Sequence, residues 1–371
     1  MYRMTILFSF LAVSGCSAMP DCRTIHDPVI QVNTDVINSL ANELQREHIA
    51  GTFDGLVLVA KDNTVLLKQA YGCADQQNSI ENNDTAISDM GSIAKTFTAA
   101  AVLQLAANGR LQLTNTIKDF YPNAPEAVRP ITIEQLLAHS SGMDNFHNDS
   151  DFEVMDRSEA ERRILSMPLI AKPGEKVSYS NAAYTLLAAI VEQVSGQTFR
   201  EYVHENILRP LKLDNTGFYQ DTHISASNLA RGYGGDEPGS TTFEKGLTWA
   251  LVGAGGMVTS IDDLANWFAA LKKGTIFPEG ATNQVFTESN ERWLLGSFAL
   301  VEISGDSVIQ MGGSTDYGYT ALIQFVPNRD YLIVLLLNAH DSKYKNATHH
   351  RLSRNHILPI LFRKGEVLPN N

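Results

Sequence analysis

The chain has 371 residues, of which 44% are hydrophobic and 19% charged, enough apolar material for one large domain or two intimate ones. Its net charge of −12 comes without a basic stripe to neutralise phosphates, which argues against a nucleic-acid partner; solubility accounts for the acidity.

Arg3 is the only charge ahead of a short apolar run, Thr5 to Val13, too short to span a bilayer. Residues 1–15 therefore read as an export signal. Val13-Ser14-Gly15-Cys16 resembles the bacterial lipobox, with Cys16 as the lipidated residue; the other reading is an ordinary signal peptide cut nearby. A lipid on Cys16 would anchor the chain at a bacterial membrane, periplasmic or at the cell surface, through a polar tether over residues 16–33. No later segment is apolar enough to be transmembrane. In an oxidising compartment Cys22 and Cys73 have the option of pairing, but Cys22 lies in the tether and the sequence leaves the pairing open. There is no C-x-x-C, no H-E-x-x-H and no cluster with metal spacing, so neither a metal nor a cofactor is expected.

The spacing of Val36, Ile37, Leu40, Leu44 and His48 predicts an amphipathic helix over Val36 to Glu47. Gly55 to Ala60 and Thr64 to Tyr71 read as a hairpin turning at Lys61-Asp62-Asn63. From Ser92 to about residue 225 the pattern is mostly helical. The predicted helices begin at Ser92, at Ile131 with Thr132 as cap, at Ser158, at Asn181 and at Thr198; the last stops before Pro210. After the glycine-rich turn Gly253–Met257, Ser260 caps a helix over Ile261 to Lys272. Strands follow at Trp293 to Ile303, Ser307 to Met311, Tyr317 to Phe325 and Tyr331 to Asn338, then a last helix from about Ala347 to Phe362. The first hairpin and the last strands make one antiparallel sheet if the helical block, about residues 92–225, is an insertion within a single domain over 34–363. The expected class is α+β, an antiparallel sheet flanked by helices.

Three stretches carry chemistry. In Ser92-Ile93-Ala94-Lys95 a serine and a lysine three apart share one helical face. Burial at a helix start disfavours the charged amine, and a neutral amine can take a serine hydroxyl proton. The Ser92 N–H is placed to meet a developing oxyanion. S-x-x-K also arises by chance, and a serine at a helix start is commonly just a cap. In Tyr179-Ser180-Asn181, ahead of another helix, the tyrosine is a candidate base if an ammonium lies near it. The asparagine can bond a substrate amide and hold the lysine; a solvated turn before an N-cap is the plainer reading. In Met311-Gly312-Gly313-Ser314, two glycines at a strand edge let the backbone approach a ligand, and Ser314 N–H is a second oxyanion donor. A ligand-free glycine turn is the plainer reading there too.

In this order the three stretches resemble the motifs of the serine β-lactamase and penicillin-binding family, most closely its class C branch with DD-peptidase and esterase relatives. Leu136–Gly142 is similar to that branch's L-L-x-H-x-S-G stretch; Lys172-Pro173-Gly174, Pro210-Leu211, Asn215-Thr216 and Gly253–Gly256 also match, so the likeness runs from about Leu56 to Asn338. The resemblance implies Ser92 as acylated nucleophile, Lys95 and Tyr179 sharing proton transfer, Asn181, Gly312, Gly313 and Ser314 in substrate binding, and an ester or amide substrate. That substrate is a small molecule or peptide: a cell-wall peptide, a β-lactam or a small ester. His139 is expected to be structural. One position departs: the third motif normally opens with Lys or His, and here stands Met311, whose thioether carries no charge. This weakens carboxylated substrates and keeps open a non-catalytic binding protein on the same scaffold. Oligomeric state is not legible.

Overall fold

Every residue from Gly55 to Ala60 is buried in the strand Phe53–Lys61. A strand sends successive side chains to opposite faces, so a wholly buried strand needs cover on both. Leu56 and Leu58 enter one hydrophobic core, Val57 and Val59 another. The computed structural model of the chain describes residue 22, residues 29–340 and residues 343–363. It places this strand within an eight-stranded sheet. The order across the sheet is Ile30–Gln31, Thr64–Tyr71, Phe53–Lys61, Tyr331–His340, Thr320–Val326, Asp306–Ser314, Phe298–Ile303 and Trp293–Leu294. All neighbours are antiparallel. Leu335 pairs with Val57 and Leu336 with Leu56, so the early hairpin and the late strands join in register, as the sequence pattern implied.

One face is covered by the helix Asp35–Ile49, through Ile37, Leu40 and Leu44, and by Leu352, Ile357 and Leu358 near the C-terminus. The other face packs on the helical block, including the helices Ala94–Ala107, Asn181–Ser195 and Ile261–Lys273. The helix Ala94–Ala107 is buried from Ala94 to Leu105. A helix apolar on all sides belongs in the interior, and this one is pinned there. Phe97 stacks on Trp267 with centroids 4.1 Å apart, Trp267 Nε1 donates to Thr96 Oγ1 at 2.8 Å, and Thr98 Oγ1 donates to the Gly253 carbonyl at 2.7 Å. The antiparallel sheet flanked by helices is thus the fold.

Three local expectations change. The segment predicted as one strand from Trp293 to Ile303 is two, Trp293–Leu294 and Phe298–Ile303, because Ser297 takes φ +65° and folds them into a hairpin. Pro210 does not end its helix. Phe199–Val203 passes into a π-turn, His204–Leu208, and on to Arg209–Leu211; the wider turn relieves the clash a proline ring makes with the preceding turn. A π-turn at Ser353–Ile357 does the same before Pro359. The tether expected over residues 16–33 is described only at Cys22 and from Val29. There Ile30 and Gln31 pair with Lys68 and Leu67, and Cys22 is disulfide-bonded to Cys73 with Cα atoms 5.3 Å apart, so this part is tied to the sheet. Cys16 and the export signal lie outside the described residues. Among the described residues no helix is long and apolar enough to cross a membrane.

Candidate active site

Ser92 lies in a single 3-10 turn, Gly91–Ile93, that runs into the buried helix Ala94–Ala107. The turn is held from behind. Gly91 N–H donates to Asp89 Oδ1 at 2.7 Å, and buried Asp89 also accepts from the Tyr219 and Thr242 hydroxyls. It is held in front by the strand Asp306–Ser314. A Cβ on Gly313 would lie 2.0 Å from the Met90 carbonyl oxygen, and one on Gly91 (φ +51°) 2.6 Å from Ser314 N. Real Cβ atoms do not approach so closely, so these glycines are what let the strand edge lie on the Ser92 turn, with the Ser92 and Ser314 amides on adjoining backbone.

The side chain of Lys95 is fully buried. Its Nζ lies 3.2 Å from Ser92 Oγ and 2.6 Å from the Ala254 carbonyl oxygen, to which it donates. Desolvation pulls its pKa down to about 7 and the charge of Asp151 only partly opposes this. A carbonyl supplies a dipole but no counter-charge, so the amine is held without being locked as an ammonium.

Tyr179 comes to the same point from the segment ahead of the helix Asn181–Ser195. Lys95 Nζ stands 5.0 Å from its ring centroid. Burial pushes the Tyr179 hydroxyl up, while a hydrogen bond with Ser92 pulls it down. A nearby ammonium was expected to make this tyrosine the base; the order is reversed, because burial acts on both groups and neutralises the lysine while keeping the phenol protonated. His139 is fully buried, accepts the Ser180 N–H on Nδ1 at 3.2 Å and packs on Tyr179 with centroids 4.5 Å apart. Its pKa is driven well below the usual range by burial, so it is a neutral support for Tyr179. Asn181 was expected to hold the lysine. Its amide instead donates to Asn145 Oδ1 at 3.0 Å, as does its backbone N–H, and the partner of Lys95 is Ala254.

Ser92, Tyr179 and Ser314 line both of two adjoining cavities of about 430 and 460 Å³. Asn181 opens on the smaller; Met311, Gly312 and Gly313 on the larger. Every described site residue foreseen from the three motifs is therefore brought to one cleft. Reading the sequence missed Asp89, Asn145, Asp151 and Ala254. Only Ala254 carried a signal, its place in a glycine-rich turn.

Elsewhere, two side-chain groups have donor atoms within 4.8 Å of one another, His204–Asp221–His223 and Glu43–Glu47–His356. In each an arginine already takes a carboxylate, Arg200 on Asp221 and Arg351 on Glu47, which is ion-pair geometry.

Comparison with known proteins agrees with this geometry. Protein flp of Staphylococcus aureus (strain COL) is 33% identical over 254 residues, covering 66% of this chain and 49% of that protein. The chain thus spans about half the length of this curated relative. FmtA from Staphylococcus aureus superposes with a TM-score of 0.73 at 22% identity, over 91% of this chain and 90% of that one. D-amino acid amidase from Ochrobactrum anthropi SV3 gives 0.74 at 18% identity, over 88% and 99%. A class C beta-lactamase gives 0.72 at 18%, over 91% and 100%. These structures share the fold, and two of them are hydrolases by name. Because residues 38–355, most of the chain, match the profile of the Beta-lactamase family, the chain belongs to that family.

Proposed function

We propose that the chain is a serine hydrolase that forms an acyl-enzyme on Ser92 and releases the acyl group to water. One observation carries this reading: a fully buried amine without a carboxylate partner, 3.2 Å from a serine hydroxyl at a cleft. Neutral Lys95 takes the Ser92 Oγ proton as Oγ attacks the carbonyl carbon of an ester or amide. The Ser92 and Ser314 N–H groups receive the oxyanion. Tyr179, kept protonated by burial, gives its proton to the departing oxygen or nitrogen and recovers one from Lys95. Water then enters by the same relay and frees Ser92. Candidate substrates are a cell-wall peptide, a β-lactam or a small ester.

The test is direct. Wild type and Ser92→Ala are given a chromogenic ester, a chromogenic cephalosporin and a fluorescent penicillin, with intact mass spectrometry for the acyl adduct. Turnover or label that vanishes in Ser92→Ala is the expected result; equal signals overturn the enzyme reading. Met311, 3% exposed and uncharged, favours the rival reading of a binding protein, for which equal signals are the expectation.

Export, with a lipid on Cys16, belongs to the same reading. The Cys22–Cys73 disulfide supports it, since such bonds persist in oxidising compartments. Globomycin-sensitive processing, or palmitate labelling lost in Cys16→Ser, checks the lipid; neither being seen overturns it.

A further inference from the structure

The two cavities that meet at Ser92 have walls of opposite charge. On the Asn181 side the wall carries Asp149, Asp151 and Asp316, with no Lys, Arg or His among its described residues. On the Met311 side it carries Arg292, His349, His350 and Arg354, with no Asp or Glu. In a chain of net charge −12, composition does not explain a wholly basic wall.

Neither wall is neutralised from within. Asp151 accepts only a long 3.4 Å bond from Asn148 Nδ2, and neither it nor Asp316 has an ion-pair partner among the described residues. Burial, and the charge of Asp316, hold the Asp151 carboxyl above its usual range, a repulsion that a bound cation would relieve. On the other wall His349 is 3% exposed, and its Nδ1 and that of His350 are buried with no hydrogen-bond partner among the described residues. The two rings stack with centroids 4.2 Å apart, and a Cβ on Gly312 would lie 2.6 Å from His349 Nε2. This basic group therefore stands beside Met311, where the expected cation is missing. Buried ring nitrogens without partners are costly unless something else bonds them.

On the reading that Ser92 is acylated, we propose that the cleft selects acyl donors with a positively charged amine on the acyl half, seated at Asp151 and Asp316, and an anionic group on the leaving half, seated against Arg354, Arg292 and the His349–His350 pair. The direction follows from Tyr179. It protonates the leaving group, and its ring lies 6.0 Å from that of Trp293, which lines the basic cavity and not the acidic one. Charges of this kind select among substrates even where they add little to overall affinity.

Four matched esters test this: alanyl or N-acetylalanyl, each joined to 3-hydroxybenzoate or to 3-hydroxybenzamide. For the wild type, acetylating the amine and removing the carboxylate are each expected to lower kcat/KM about tenfold. In Asp151→Asn the penalty for acetylation falls below about twofold while the carboxylate effect remains; in Arg292→Gln/Arg354→Gln the pattern is the opposite. A thermal melt confirms that each variant is folded. If the wild type acylates at Ser92 yet treats the four esters alike, or if both variants slow all four equally, the charge assignment is wrong and the hydrolase reading stands. If no ester acylates Ser92, both fall together.

Discussion

Two buried lysines show what a partner does. Lys68, on the strand Thr64–Tyr71, is 8% exposed and bonds both carboxylate oxygens of Asp262, the nearer at 2.9 Å. Lys95 is fully buried and meets a hydroxyl and a carbonyl but no carboxylate. The first keeps a counter-charge and serves packing between the sheet and the helix Ile261–Lys273. The second has only dipoles around it, and desolvation brings its proton equilibrium to about pH 7, where a base is useful. Burial of a cation is thus structural with a partner and chemical without one.

The strongest way to break this comparison is Lys95→Met. Ester turnover is expected to fall at least about a thousandfold, since a serine without its base is a poor nucleophile. The pH dependence sharpens the point. Neutral Lys95 is the active form, so wild-type kcat/KM should rise with pH through about 7; a flat profile from pH 5.5 to 8.5 would remove Lys95 as the base. Stability carries the same signature. The folded pKa lies below the unfolded one, so between about pH 7 and 10 the unfolded chain binds more protons and wild-type stability rises with pH relative to Lys95→Met. Melting temperatures of the two proteins at pH 7 and pH 9 check this, and a constant difference between them contradicts it.

Next in size is Gly313→Ala, whose Cβ would strike the Met90 carbonyl at 2.0 Å. It should destabilise by about 2 kcal/mol or more and also cut turnover, because relief requires the strand to move off the Ser92 turn. Normal activity in that variant would show that the strand edge is not part of the site. Lys68→Met should cost about 1–3 kcal/mol in urea unfolding while leaving the pH–rate profile in place, the reverse of Lys95→Met. The smallest effect belongs to Asp262→Asn. With its carboxylate half exposed, less than about 1 kcal/mol is expected, and no change in turnover.

Much of this was open to sequence reasoning because it is local. Strict alternation made Phe53–Lys61 and Tyr331–His340 strands, and a helix with no polar face declared its own burial. Ser92 and Lys95 are three residues apart, so helical geometry alone put them together. The failures came where non-neighbours intervened. Pro210 read as a stop, until a π-turn set by its packing made room for it. Asn181 was given to Lys95, but Asn145, 36 residues away, claimed its amide.

What the sequence determined by itself is the set of parts: the sheet's two faces, the buried helix, and the nucleophile and amine on one turn. These follow from periodicities of two and 3.6, which need no knowledge of the rest of the chain. What only the tertiary structure decided is the state of those parts. Lys95 is a base because Ala254, 159 residues on, offers a carbonyl and not a carboxylate. The cleft has one acidic and one basic wall because distant segments end there. Protonation and field depend on everything within several ångströms, and which groups those are is fixed by packing, not by spacing along the chain.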